Sequence, residues 1–157
     1  MNPGLERLAA ELNLDKVERD RLRLAFGLAC CDRVAHLLED PRAVQCLAIL
    51  RRFQVGEIAR RELDDAAGLA AALAQAHRGS PSIDGSGHAA VSATHAVANA
   101  IAGRALEAAG YAAYAAVYAY GAYAVRDPAA FQEEFTWQTD TLRRLADQSS
   151  LQGRGLS

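Results

Sequence analysis

Proline is scarce, cysteine is odd in number and net charge is close to zero, and each shortage closes off a class of protein. Four prolines in 157 residues leave long stretches free of helix breakers. Three cysteines, Cys30, Cys31 and Cys46, two of them adjacent, suit neither a disulfide framework nor a C-x-x-C redox site. They read as reduced thiols packed in a core. A formal charge of -2 supplies no general attraction to nucleic acid or to an anionic membrane surface. The opening residues mix acids and bases with no continuous apolar stretch, so no signal peptide is expected and the protein is placed in the cytoplasm. The longest uncharged run, Ala108 to Val125, is about 18 residues of mostly Ala, Gly, Val and Tyr, too weakly apolar for a membrane span, and reads as a buried helix of a soluble protein.

No alternating β-branched run bounded by turn residues occurs, whereas helical spacing recurs throughout. The fold class expected is therefore all-α, a single-domain bundle of six or seven helices over residues 1–148. One long helix spans Asp15 to Leu38, with Val17, Leu22, Leu24, Phe26, Leu28 and Val34 apolar. Asp40-Pro41 opens the next helix, Asp40 as N-cap and Pro41 at the first helical position, and Gly56 closes it. A third helix, about Glu57 to Arg78, turns Leu63, Ala66, Leu69 and Leu73 inward. The stretch GSPSIDGSG, residues 79–87, reads as a flexible loop.

Residues 88–126 hold 17 alanines and three formal charges, Arg104, Glu107 and Arg126. They read as two closely approaching helices divided at Gly110, the centre of the fold. Asp127-Pro128 repeats the start signal before a final helix through Phe131, Phe135, Trp137, Leu142 and Leu145. Residues 149–157 read as a disordered tail.

Candidate site residues fall into three sets. Cys30, Cys31, Asp32 and His36 include every residue type a zinc site uses, yet adjacent residues on a helix point about 100° apart, which favours packed thiols over ligands. His88 and His95, with Ser92 between them, share a helix face two turns apart, too far for one ion. Tyr111, Tyr114 and Tyr118 follow at i, i+3 and i+7, with Tyr120 and Tyr123 on another part of the same expected helix. Five phenols within 13 residues exceed what an Ala-lined core can satisfy. These tyrosines are assigned to partner binding, with core packing as the alternative. No Gly-rich phosphate loop, nucleophile elbow or H-E-x-x-H is present, and no catalytic residue, metal or cofactor is assigned.

Residues 21–63 resemble the small Ala-rich immunity proteins of bacterial polymorphic toxin systems, and similar segments occur in helical proteins of planctomycetes. The resemblance is carried by Ala29-Cys30-Cys31-Asp32-Arg33-Val34, Asp40-Pro41-Arg42 and Gly56-Glu57, then the Ala-rich pair from Ala89 to Ala124 and Trp137-Gln138. Tyr111 after Gly110 departs from it, since relatives often carry His there. The resemblance implies a non-enzymatic protein that binds another protein, a cognate toxin; the near-neutral charge and the weak apolarity of the longest uncharged run argue against nucleic acid and membrane as partners. Readings from other classes are a small-ligand or metal-binding helical protein, an enzyme included, using Cys30, Cys31, His36, His88 or His95, and a structural homo-oligomer.

Overall fold

The computed structural model describes residues 2–77 and 86–155. Among them are seven α-helices and no strand, so the all-α expectation holds. No helix among these residues is long and apolar enough to cross a membrane.

The helix ends follow from local chemistry. Asn2 caps α1 (Pro3–Glu11) by accepting from the Leu5 amide at 3.2 Å. Asp40 caps α3 (Pro41–Gln54) through the Arg42 amide at 2.8 Å. Asp127 does the same for the Ala129 amide at 3.0 Å, opening the 3-10 turn Pro128–Phe131 that leads into α7 (Gln132–Gly155). All three are Asx-Pro starts, in which the side chain satisfies an orphan amide and Pro fills a position that needs no donor.

At the far ends, Gly56 adopts φ +80° after α3 and Gly103 adopts φ +80° after α5 (Ser86–Ile101). Arg104 N–H then reaches Asn99 C=O at 2.9 Å and Gly103 N–H reaches Ala100 C=O at 3.1 Å, the paired bonds of a Schellman cap. The boundary between the two Ala-rich helices is therefore Ala102–Arg104, ahead of α6 (Ala105–Tyr120), and not Gly110. Gly110 sits inside α6, where it costs about 1 kcal/mol relative to Ala without breaking a helix that alanine otherwise favours.

The core is a three-helix unit. α5 and α6 form an antiparallel hairpin with the most extensive contact in the molecule, and α2 (Asp20–Val34) lies against both. Ala93, Ala96, Ala100, Ala108, Ala112 and Ala115 are buried along the hairpin, and their short side chains let the axes approach. At Gly27 the approach of α2 to α5 is tight: a Cβ there would stand 2.9 Å from the Cβ of Ala100 and 3.1 Å from its Cα. Phe26, Cys30, Cys31 and Val34 are buried from the same helix. α4 (Arg60–Ala76) packs on α3 and α5, while α7 packs on α1 and α2.

Several sequence expectations need correction. The helix foreseen over Asp15–Leu38 is α2 flanked by 3-10 turns, and Val17 is exposed in the first of these, held among Lys16, Glu18 and Arg19. On α4 the buried stripe is Leu63, Ala66, Ala70, Leu73 and Ala74, and Leu69 falls outside it. The uncharged run 108–125 is not one buried helix: α6 stops at Tyr120, Gly121 follows in extended conformation, and Tyr123 belongs to the 3-10 turn Ala122–Arg126. α7 continues through Ser149 to Gly155, where a disordered tail is expected, because adding residues to an established helix is far easier than nucleating one. Of the loop expected over 79–87, residues 79–85 lie outside the described residues and Ser86-Gly87 begin α5.

Candidate partner-binding surface

Because α5 and α6 run antiparallel, side chains seven apart on one meet side chains seven apart on the other. His88 stacks on Tyr118 with ring centroids 5.2 Å apart and planes 26° from parallel. His95 stacks on Tyr111 at 4.9 Å and 20°. Tyr114, between these pairs, lies 6.2 Å from Tyr118 and meets the edge of Phe131 at 5.2 Å and 72°. Phe131 in turn sits 5.6 Å from Phe135 at the start of α7. Five rings thus form a band running from α5 over α6 to α7, and His95 with Tyr111 forms a second step beside it.

The five tyrosines divide by burial. Tyr118 is half-buried, while Tyr111 is 39% exposed, Tyr114 43%, Tyr123 73% and Tyr120 80%. On α6 the Ala face, including Ala105, Ala108, Ala112 and Ala115, turns to the core, so the rings are left to the other face. The sequence places Tyr120 and Tyr123 apart from the first three, and in the structure they form a separate pair with centroids 6.3 Å apart. The sequence places Phe131 and Phe135 on the final helix, without linking them to the tyrosines. Both are half-buried members of the aromatic band, an arrangement set by the turn at Asp127 and invisible to helical periodicity.

Beneath the band, Gln138 is buried and donates its Nε2–H to the Ala109 carbonyl at 2.8 Å. Asn2 donates to Phe135 C=O at 3.1 Å and to Gln138 Oε1 at 3.4 Å. These bonds join α1, α6 and α7, and fix Phe135 from below. Arg33 adds a second tether, donating to both oxygens of Glu134 at 2.7 and 3.2 Å while its guanidinium lies 4.5 Å from the centre of the Trp137 ring. Glu134 thereby raises the Arg33 pKa.

The zinc-type residues are not gathered. Cys30 and Cys31 are buried, and burial raises both thiol pKa values, which disfavours the thiolate needed for attack or metal binding. Asp32 pairs with Arg51 on α3, and His36 is exposed on the 3-10 turn after α2. Cys46 is buried with its sulfur 3.6 Å from the Ala66 carbonyl. Among the described residues no three His, Cys, Asp or Glu side chains converge as a metal site would require.

His95 is the half-buried imidazole of the second step. Partial burial disfavours its imidazolium and the charge of His77, after α4, adds repulsion, so its pKa lies below 6.5. An unfolded chain would take up this proton first as pH falls through about 6.5. The contribution is therefore present above that pH and lost as pH falls through the lower folded value. We expect the thermal midpoint to decline on acidification from about pH 7.5 to about pH 5.5, with a shallower decline in His95→Gln. An identical pH dependence in the two proteins would show that His95 carries none of it.

Compared with protein families, with curated proteins and with solved structures, the chain matches none.

Proposed function

We propose that this chain is a non-enzymatic, cytoplasmic protein-binding domain, and that its partner is a toxin it neutralises. The observation that carries the binding reading is the exposure of four tyrosines, from 39% to 80%, beside an Ala-packed hairpin that needs none of them for its core. Tyrosine combines a large apolar ring with a hydroxyl that can remain solvated before binding, and it loses few rotamers when it is covered. Such rings anchor interfaces. The toxin as partner rests on the resemblance of residues 21–63, with Trp137-Gln138, to immunity proteins. Three buried, unpaired thiols accord with a reducing compartment.

The experiment is co-expression with the protein encoded beside this gene in the source cell. Protection from that protein's toxicity, together with co-purification of the two at a fixed stoichiometry, is the expected result. A chain that neither protects nor co-purifies, and sediments as a monomer, would overturn the reading. A concentration-dependent homo-oligomer that loses association when Tyr114 or Tyr120 becomes Ala would instead assign the aromatic surface to self-assembly.

A further inference from the structure

Where α6 ends, the aromatic surface borders a groove of different character. Tyr120 and Tyr123 stand at its edge with their ring planes 58° apart. Asp127 and Glu133 supply carboxylates, and Ala116 and Ala130 are among its small lining residues. The groove encloses about 570 Å³, enough for a long side chain and part of its backbone. Asp127 spends one oxygen on the Ala129 amide. Neither Asp127 nor Glu133 forms an ion pair among the described residues, whereas Glu134 beside them is occupied by Arg33.

Resting on the protein-binding reading, we propose that this groove receives an arginine side chain of the partner, its guanidinium against the Tyr120 and Tyr123 rings and within reach of Asp127 and Glu133. Charge complementarity argues for a cation, and ring faces add attraction for it. Planarity argues for arginine over lysine, because a guanidinium can stack on a ring and still direct donors at carboxylates, which a compact ammonium cannot do together. The molecule uses the same combination within itself one helical turn away, where Arg33 lies on Trp137 and is held by Glu134. The preceding turn leaves room for the ring: a Cβ on Gly121 would meet the Tyr123 ring at 2.6 Å and push it from its place.

The test titrates the full chain with an octapeptide of four Arg-Gly repeats, following the five tyrosine ring signals by NMR. Matched peptides carry citrulline or lysine in place of arginine. The arginine peptide should shift the Tyr120 and Tyr123 signals and should bind about five- to tenfold more tightly than the citrulline peptide. Glu133→Gln with Asp127→Asn, which preserves the capping oxygen, should remove most of that preference. Equal binding of the arginine and citrulline peptides, or shifts confined to Tyr111, Tyr114 and Tyr118, would overturn the groove assignment. Lysine binding as tight as arginine would overturn the stacking. Partner binding that survives the carboxamide pair but not Tyr114→Ala would refute the groove and leave the protein-binding reading standing. Arginine-peptide binding in a chain that captures no partner would do the reverse.

Discussion

Gly27→Leu should abolish the folded state, giving a chain whose circular dichroism shows no cooperative thermal transition. Even the first carbon of a side chain at that position would meet Ala100 at 2.9 Å. The groups it meets are a Cβ and a Cα, which cannot swing aside as the end of a long side chain can. Four carbons would drive α2 away from α5 at the centre of the core, taking with it the packing of Phe26 and Cys30. The graded version is more informative. On helix propensity alone Gly27→Ala would stabilise α2 by about 1 kcal/mol. Overpacking of a tight core costs about 1 to 3 kcal/mol. The crowding should win, so Gly27→Ala should lower stability in denaturant titrations, and Ala100→Gly should be less costly in that background than in the wild type. A stabilised Gly27→Ala would mean that the two helices separate freely and that the contact does not fix their spacing.

The second large effect separates two tyrosines only two residues apart. Tyr120→Ala should leave the melting temperature near the wild-type value, because its ring is 80% exposed and rests mainly against Tyr123. Its cost should appear in partner binding, about 1 to 3 kcal/mol for an interface anchor, or roughly 5- to 150-fold in Kd. Tyr118→Ala should do the opposite. Its ring is half-buried, stacks on His88 and supports Tyr114, so its removal withdraws apolar area and leaves two neighbours unsupported. A loss of about 1 to 3 kcal/mol in stability is expected there. Measuring Kd and melting temperature on both variants decides the matter. If Tyr120→Ala lowers the melting temperature as much as Tyr118→Ala does, the exposed rings serve the fold, and their role as anchors fails.

What could be read from the sequence is what depends on neighbours in the chain. Asp40-Pro41 and Asp127-Pro128 act as starts, and Gly56 acts as a stop, because capping is decided within four residues. Asn2-Pro3 carries the same signal and locates α1. The division of the Ala-rich segment falls at Gly103 and not at Gly110 for a physical reason: each glycine follows an alanine and either can end a helix, and the packing of the finished hairpin selects which one turns. Val17 and Leu69 were misjudged because a helical stripe shows period but not phase, and phase is set by the helix that packs against it. The tyrosines could be singled out by count, since five phenols exceed the demand of an alanine core. Their pairing with His88 and His95, and the joining of Phe131 and Phe135 to them, depends on antiparallel register and on the turn at Asp127. Those are relations between elements, which periodicity along one element does not contain.

The two-sided construction of α6 bears on how this protein can diversify. Its inward face is held by methyl groups so closely spaced that almost any enlargement there is excluded. Outward, Tyr120 is 80% exposed and its ring contact is the exposed Tyr123, so it is freer to become another residue than Tyr111 and Tyr114, which also pack against half-buried rings. Change in one face is therefore uncoupled from change in the other. On the proposed protein-binding reading, a lineage would exchange one partner for another by rewriting rings and carboxylates at the surface, without first acquiring compensating substitutions in the core. The alanine hairpin acts as a fixed mount, and the outer face is the part that can be replaced.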